Sequence, residues 1–306
     1  MNKIIKILKN PMYLLVKLDN KGIIRLNDEL YLKLKYKWIL EKKLNLKEPS
    51  TFNEKLQWMK INYKDSKYSD MVDKYKAKEI VKKIEIENDD IHIIPTLGIY
   101  NKFDEINFEE LPQQFVIKCT HDSGSYKIIK NKNNIDYEKL KKYYNKKLNQ
   151  NFYYDSREWP YKNIKPKIII EKFMDDTVHS ELVDYKFQCF YGKVDNIFVC
   201  VDRDKESGVK YHYFDKNWKY LNYCPYPGIN ERNINIAKPK YLDRMLEIVE
   251  RLAAGIPEVR VDLYIIDEKI YFGEFTFFTD GGFDTTITEN ADKIIGNRFK
   301  LPAKNK

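Results

Sequence analysis

The chain has 306 residues, 43% of them hydrophobic and 33% charged, with 24 Tyr and 16 Phe. That composition excludes a disordered chain and suffices for a substantial core, in one large or two closely packed domains. The net charge of +9 and pI near 9.0 leave two readings open: a polyanionic partner such as a nucleotide, nucleic acid, anionic glycan or membrane surface, or a coding bias toward Lys, Asn and Ile.

Residues 1–17, M-N-K-I-I-K-I-L-K-N-P-M-Y-L-L-V-K, are apolar only in short bursts broken by lysines and Pro11. They carry neither a spanning run nor a cleavage site. A docked or frayed helix is expected, with peripheral contact to a membrane surface as the alternative. Residues 30–90 read as helices. Thr51 and Glu54 form a capping box ahead of Phe52, Leu56 and Met59, and Ala77, Ile80, Val81 and Ile84 mark one face of another helix.

From Gln114 the period changes to that of strands: F-V-I-K-C-T, a polar loop H-D-S-G-S, then Y-K-I-I-K. A helix is expected over 136–148 and a strand over 167–174. Two strands follow, joined at Tyr191-Gly192-Lys193, and another over 209–214. A helix begins with Pro239 in its first turn, buries Leu242, Met245, Val249 and Leu252, and is stopped by Gly255 and Pro257. Two strands then span 260–282 with a tight turn at Asp267-Glu268-Lys269, and a short polar tail closes the chain. This order is α+β, with mostly antiparallel sheet in the second half. Cys119, Cys189, Cys200 and Cys224 form no C-x-x-C pair, which suits buried reduced thiols in a cytosolic protein.

The hairpin carries the strongest chemical signal. The register that pairs Ile266 with Ile270 sets Asp262 opposite Glu274 and Arg260 opposite Thr276. Opposed carboxylates roughly 5 Å apart destabilise a strand pair unless something positive lies between them. A divalent cation with oxygen ligands meets that need, and magnesium is the usual one where phosphates complete the shell. A solvated hairpin edge with diverging acids is the competing reading.

Upstream, Lys118 lies within a strand and Ser123, Gly124 and Ser125 in a small loop, able to close over phosphate oxygens. No Walker loop is present, and an ordinary polar hairpin loop is the alternative. The strand ending Glu171-Lys172-Phe173-Met174 can offer an edge to an adenine, with Phe173 and Met174 flanking the ring and Glu171 accepting from the exocyclic amine. A core strand with a charged end is the plainer reading. Asp202-Arg203-Asp204 spells the D-x-D by which glycosyltransferases hold a metal and a sugar nucleotide; a strand-ending turn is its alternative. His92, His179 and His212 read as structural, and His121 as a candidate proton carrier. Nucleic-acid binding finds no recognised reader motif and is not expected.

Taken in order, strand lysine, small loop, Glu-ended strand and final acidic pair resemble the ATP-grasp superfamily, in particular its TupA-like branch of surface-polysaccharide and teichuronopeptide synthesis. The strings L-N-L-K-E-P-S-T-F-N-E-K-L-Q-W-M-K at 44–60, D-K-Y at 73–75, L-P-Q-Q-F-V-I-K-C-T-H-D-S-G at 111–124, R-E-W-P-Y-K-N-I at 157–164, D-Y-K-F-Q-C-F-Y-G-K at 184–193, and R-V-D-L-Y with Y-F-G-E-F-T-F carry it. The resemblance implies two α+β subdomains clamping ATP, at 111–174 and 175–306, behind a helical region at 1–110. It puts Lys118 on the α- and β-phosphates, His121 to Ser125 over the triphosphate, and Glu171 to Met174 at the adenine hinge. Lys186 becomes the second phosphate lysine, with Asp184 among the nucleotide-binding residues. Asp262 and Glu274 become the magnesium acids, Arg260 faces developing charge, and Arg203 reaches the γ-phosphate or the acceptor. The superfamily's Glu-x-Asn is Glu274-Phe275-Thr276 here, so Thr276 stands in as a hydroxyl ligand. The implied activity is a cytoplasmic carboxylate–amine ligase working through an acylphosphate on a uronate or glutamate unit of a sugar precursor, free or nucleotide- or lipid-linked. A kinase of the same fold and a D-x-D glycosyltransferase are the alternatives.

Overall fold

The computed structural model describes residues 11–84, 91–175, 183–201, 209–226 and 236–305. The described residues open with five helices: α1 (Pro11–Asn20), α2 (Asp28–Leu40), α3 (Phe52–Asn62), α4 (Lys67–Val72) and α5 (Lys76–Ile84). Asn27 caps α2 by accepting from Leu30 N, and Thr51 with Glu54 closes the expected capping box on α3. On α5 Ala77 and Val81 are buried as expected, but Ile84 is 40% exposed where the helix ends, and Lys78 is buried instead.

The strands and later helices follow as β1 (His92–Ile93), β2 (Thr96–Tyr100), β3 (Phe115–Cys119), β4 (Lys127–Ile129), α6 (Tyr137–Leu148), α7 (Tyr153–Ser156) and β5 (Ile168–Lys172). Then come β6 (Asp184–Phe190), β7 (Lys193–Val201), β8 (Lys210–Phe214), β9 (Tyr220–Leu221), α8 (Leu242–Leu252), β10 (Glu258–Ile266), β11 (Lys269–Thr276) and α9 (Glu289–Arg298). The expectation of a polar tail straight after the hairpin is corrected by α9. Thr288 caps it by accepting from Ala291 N, and its Ala291 and Ile295 are buried in the main core. Pro239 lies ahead of α8 rather than in it, its carbonyl accepting from Leu242 N.

Two sheets organise the chain. The larger runs β1-β11-β10-β6-β7-β8-β9, antiparallel except where β1 meets β11, and the smaller runs β2-β5-β3-β4, antiparallel throughout. Period two gives the larger sheet an apolar face of Val261, Leu263, Phe187, Ile197 and Val199, which shares a core with Met245, Ile248 and Val249 of α8. The opposite face is polar and carries the site. The smaller sheet has its own core, with Phe103, Phe108, Phe115, Ile117, Tyr144 and Ile168. The N-terminal helices are tied on by Arg157, whose guanidinium meets Asp19 Oδ2 at 2.6 Å and Asp28 Oδ1 at 3.0 Å and lies over the Tyr31 ring. All four cysteines are buried thiols outside any disulfide, and no helix among the described residues is long and apolar enough to cross a membrane.

Candidate active site

Directly opposed residues of an antiparallel ladder share a face, so the registers read out one row of side chains. Glu274 on β11 pairs with Asp262 on β10, Asp262 with Lys186 on β6, and Lys186 with Phe198 on β7. A second row joins Thr276, Arg260, Gln188 and Asn196. The register at this end is the one expected from sequence, but the turn end is offset by one, with Ile265 opposite Ile270. The turn has two residues, Asp267 and Glu268, both at positive φ. Gly273 absorbs the difference in a bulge, where a Cβ would stand 2.9 Å from Asp262 O and 2.8 Å from the Tyr264 ring.

Positive charge does lie between the two acids. The Arg260 guanidinium grips Asp262 at both oxygens, Nε to Oδ1 at 2.6 Å and Nη2 to Oδ2 at 2.8 Å, and its Nη2 lies 3.5 Å from Glu274 Oε1. Lys186 Nζ bonds Asp262 Oδ2 and meets Asp184 Oδ2 at 2.6 Å. Thr276 Oγ1 donates to Glu274 Oε1 at 3.3 Å. Burial pushes the Asp262 pKa up, but Arg260 and Lys186 outweigh it and hold the carboxyl below its usual range. Burial works against the Lys186 ammonium, yet Asp262 and Asp184 keep its pKa above that of an ordinary lysine. Asp262 is 1% exposed, whereas the Glu274 side chain is 41% exposed and faces solvent. This donor set suits magnesium: two opposed carboxylates, one of them open, beside a hydroxyl. Among the described residues no three Asp, Glu, His or Cys side chains converge, and magnesium held by one or two carboxylates and substrate phosphates needs no third.

On the smaller sheet Lys118 is fixed by Glu171, Nζ to Oε2 at 2.6 Å, and Glu171 is also bonded by the buried Lys78. Burial raises the Glu171 pKa, but Lys118 and Lys78 together bring it below the usual value. Both its oxygens are engaged by lysines, and it anchors Lys118. Sequence pattern missed Lys78, which reads there as one more lysine of a charged helix. Lys172 is exposed, Phe173 and Met174 are half-buried beyond it, and Lys172 and Phe173 line a cavity of about 880 Å³ with Leu97, Gln113 and Lys130.

The loop from His121 to Ser125 divides its labour. Ser123 and Gly124 are exposed at the tip, Gly124 at φ +79°. Ser125 is buried, and its hydroxyl accepts from Cys119 N at 2.9 Å and donates to Asp122 Oδ1 at 2.5 Å, so it shapes the loop and is not free for a phosphate. His121 Nε2 lies 3.2 Å from both Lys147 O and Gln150 O, which places its proton there. Burial lowers its pKa, leaving a neutral ring whose Nδ1 can only accept. The expected proton-carrying role gives way to anchoring the loop on the end of α6. Lys74, in the D-K-Y string, bonds the Asp122 carbonyl. Tyr161 is a buried hydroxyl whose pKa is raised by burial first, then by Glu158, Glu274 and Asp122, so it lies within the field of both the acid row and the loop. Arg203 and the D-R-D string lie outside the described residues, as does His179. His92 packs on Tyr271, and His212 is buried beside Tyr226.

Two acids and a lysine in one row, with an arginine in the next, on adjacent antiparallel strands of one sheet, with a lysine-bearing sheet and a small glycine loop, are the organisation of an ATP-grasp protein. A family model described as TupA-like ATPgrasp matches residues 54–300, and the chain belongs to that family. No curated protein matches it by sequence. Similar solved structures include a D-alanine–D-alanine ligase from Bacillus anthracis complexed with ATP, at 17% identity over 68% of this chain and 53% of that one, with a TM-score of 0.37. Another is a D-alanine–D-alanine ligase from Helicobacter pylori, at 13% identity over 75% and 61%, TM-score 0.40. A third is the ATP-grasp ligase PsnB complexed with minimal precursor, at 9% identity over 76% and 61%, TM-score 0.42. The chain spans between 53% and 61% of the length of these solved chains, and it is the family match that identifies it.

Proposed function

We propose that the chain is an ATP- and magnesium-dependent ligase that joins a carboxylate to an amine, the carboxylate belonging to a uronate or glutamate unit of a surface-polysaccharide precursor. The observation that carries this reading is the row Glu274–Asp262–Lys186 with Arg260 beside it. It gathers two acids for a cation and two fixed positive charges for a phosphoryl group.

Asp262 and Glu274, with Thr276 beside them, would hold magnesium, which draws off charge from the β- and γ-phosphates when bound. Lys118, fixed by Glu171, neutralises the α- and β-phosphates, and the exposed tip at Ser123 and Gly124 closes over them. Phe173 and Met174 flank the adenine, Lys172 supplies backbone at that edge, and Asp184 orients Lys186. An oxygen of the substrate carboxylate attacks the γ-phosphorus, and the bond to the bridging oxygen of ADP breaks. Lys186 and Arg260 stabilise the charge spreading over the transferring group. The resulting acylphosphate is attacked at carbon by the amine. Phosphate leaves with the C–O electron pair, the nitrogen loses its proton, and an amide remains.

We assign residues 111–174 to a small subdomain and 175–306 to a large one, and to Arg203 a role at the γ-phosphate or the acceptor. The setting is cytoplasmic, with peripheral contact of the N-terminal residues to the membrane's inner face as the alternative to a docked helix. Phosphate release from ATP should require magnesium, a carboxylate and an amine together. A stable phosphorylated product without release would make the chain a kinase, and stabilisation by UDP-sugar in place of ATP would make it a glycosyltransferase.

A further inference from the structure

Helix α3 is almost wholly buried, and its buried set includes Gln57 and Lys60, one turn apart. Lys60 is 2% exposed, and its ammonium donates to Gln57 Oε1 at 3.1 Å, Ser156 O at 2.8 Å and Gly281 O. It also lies over the rings of Phe278 and Phe283. Gln57 Nε2 donates to Gly281 O at 3.0 Å and to Gly282 O. Burying an ammonium is unfavourable unless its donors are met, and here they are met chiefly by backbone carbonyls of two distant segments.

One of those segments is the turn 278–282, which follows Thr276 by a single residue. Phe278 and Asp280 have φ of 58° and 50°, and Gly281 and Gly282 also lie at positive φ. Non-glycine residues keep such conformations only where their surroundings over-determine them. The turn is held from both sides. Toward the sheet, Glu258 Oε2 accepts from Phe278 N at 3.3 Å, and Thr279 Oγ1 donates to Gln188 Oε1 at 3.3 Å, in line with Arg260 and Thr276. Toward α3, Gly282 leaves no room, since a Cβ there would stand 2.5 Å from Gln57 Nε2. Nothing in the nucleotide reading uses Lys60.

We propose that Lys60 is a positioning residue for the phosphoryl-transfer site: with Gln57 it holds the left-handed 278–282 turn and thereby fixes where β11 presents Glu274 and Thr276. The helical region ahead of the two sheets is then part of the active site. This inference rests on the ATP-grasp ligase reading above.

The test is calorimetry of ADP with wild type, Lys60→Met and Lys60→Arg, with EDTA and across a magnesium titration at saturating ADP. Lys60→Met should bind magnesium-free ADP within about twofold of wild type while its apparent magnesium affinity falls about tenfold, with Lys60→Arg between. Magnesium affinity equal to wild type, or a parallel loss of both affinities, overturns the positioning role. If Lys60→Met does not fold, Gln57→Met, which frees Gly282 O and takes one of the two donors from Gly281 O, takes the same two readings. A wild-type protein that binds no magnesium nucleotide overturns the ligase reading itself, which separates the two failures.

Discussion

Glu274→Gln and Asp262→Asn should part function from fold. The Glu274 side chain is 41% exposed and its nearest cation, Arg260 Nη2, is 3.5 Å away. With the acid open to solvent and the contact long, such a pair is worth up to ~1 kcal/mol, so Glu274→Gln should unfold at nearly the wild-type urea midpoint. Asp262 is 1% exposed and is held by both Arg260 and Lys186. Removing one partner from a buried charged set costs about 3–5 kcal/mol, because the remaining charges are left uncompensated. Both variants lose one carboxylate from a two-carboxylate magnesium site, a loss of at least about tenfold, or ~1.4 kcal/mol, in magnesium-dependent ADP affinity. Urea denaturation and calorimetry on both variants measure the two quantities separately. Glu274→Gln binding magnesium-ADP as wild type does, or Asp262→Asn unfolding at the wild-type midpoint, would refute the reasoning.

Other outcomes follow from the same geometry. Burial raises the Glu258 pKa from 4.5 to about 7, so between those values the folded chain keeps a proton that the unfolded chain has lost. Its contribution is complete below the lower value and declines as pH rises through the upper one. Glu258→Gln should therefore gain on wild type by about 3 kcal/mol between acid and pH 8, read from paired denaturation curves; a gap independent of pH would contradict this. Gly273→Ala should cost about 1–3 kcal/mol through contact with Asp262 O and Tyr264, and a variant as stable as wild type would remove the bulge from the account. Lys78→Met should weaken ADP binding about tenfold by loosening the Glu171 that fixes Lys118; unchanged binding would make Lys78 purely structural.

The hairpin acids were legible because period two and opposed charge are local properties of a short stretch. The register held at the site end even though the turn proved one residue shorter, since Gly273 took up the slip. A lone glycine within a strand pattern is the signal for that bulge. Helix α9 had its own mark in Thr288 ahead of an acidic first turn, overshadowed by the strand strings before it. Lys60, Lys78 and Glu258 were illegible for a different reason. Each belongs to a charged or amphipathic run whose solvated reading is the default, and their partners at Gly281, Glu171 and Gln188 lie far along the chain. Ser125 read as phosphate-facing from residue type and His121 from the resemblance, but tertiary contacts engage both in holding the loop.

The account is tested most directly by following oxygen. With ATP, magnesium, an amine and a uronate or glutamate donor labelled with ¹⁸O in its carboxylate, the released phosphate should carry one labelled oxygen, because the carboxylate oxygen that attacks phosphorus departs with it. Unlabelled phosphate, or label retained entirely in the carbon product, would contradict activation of a carboxylate by this site.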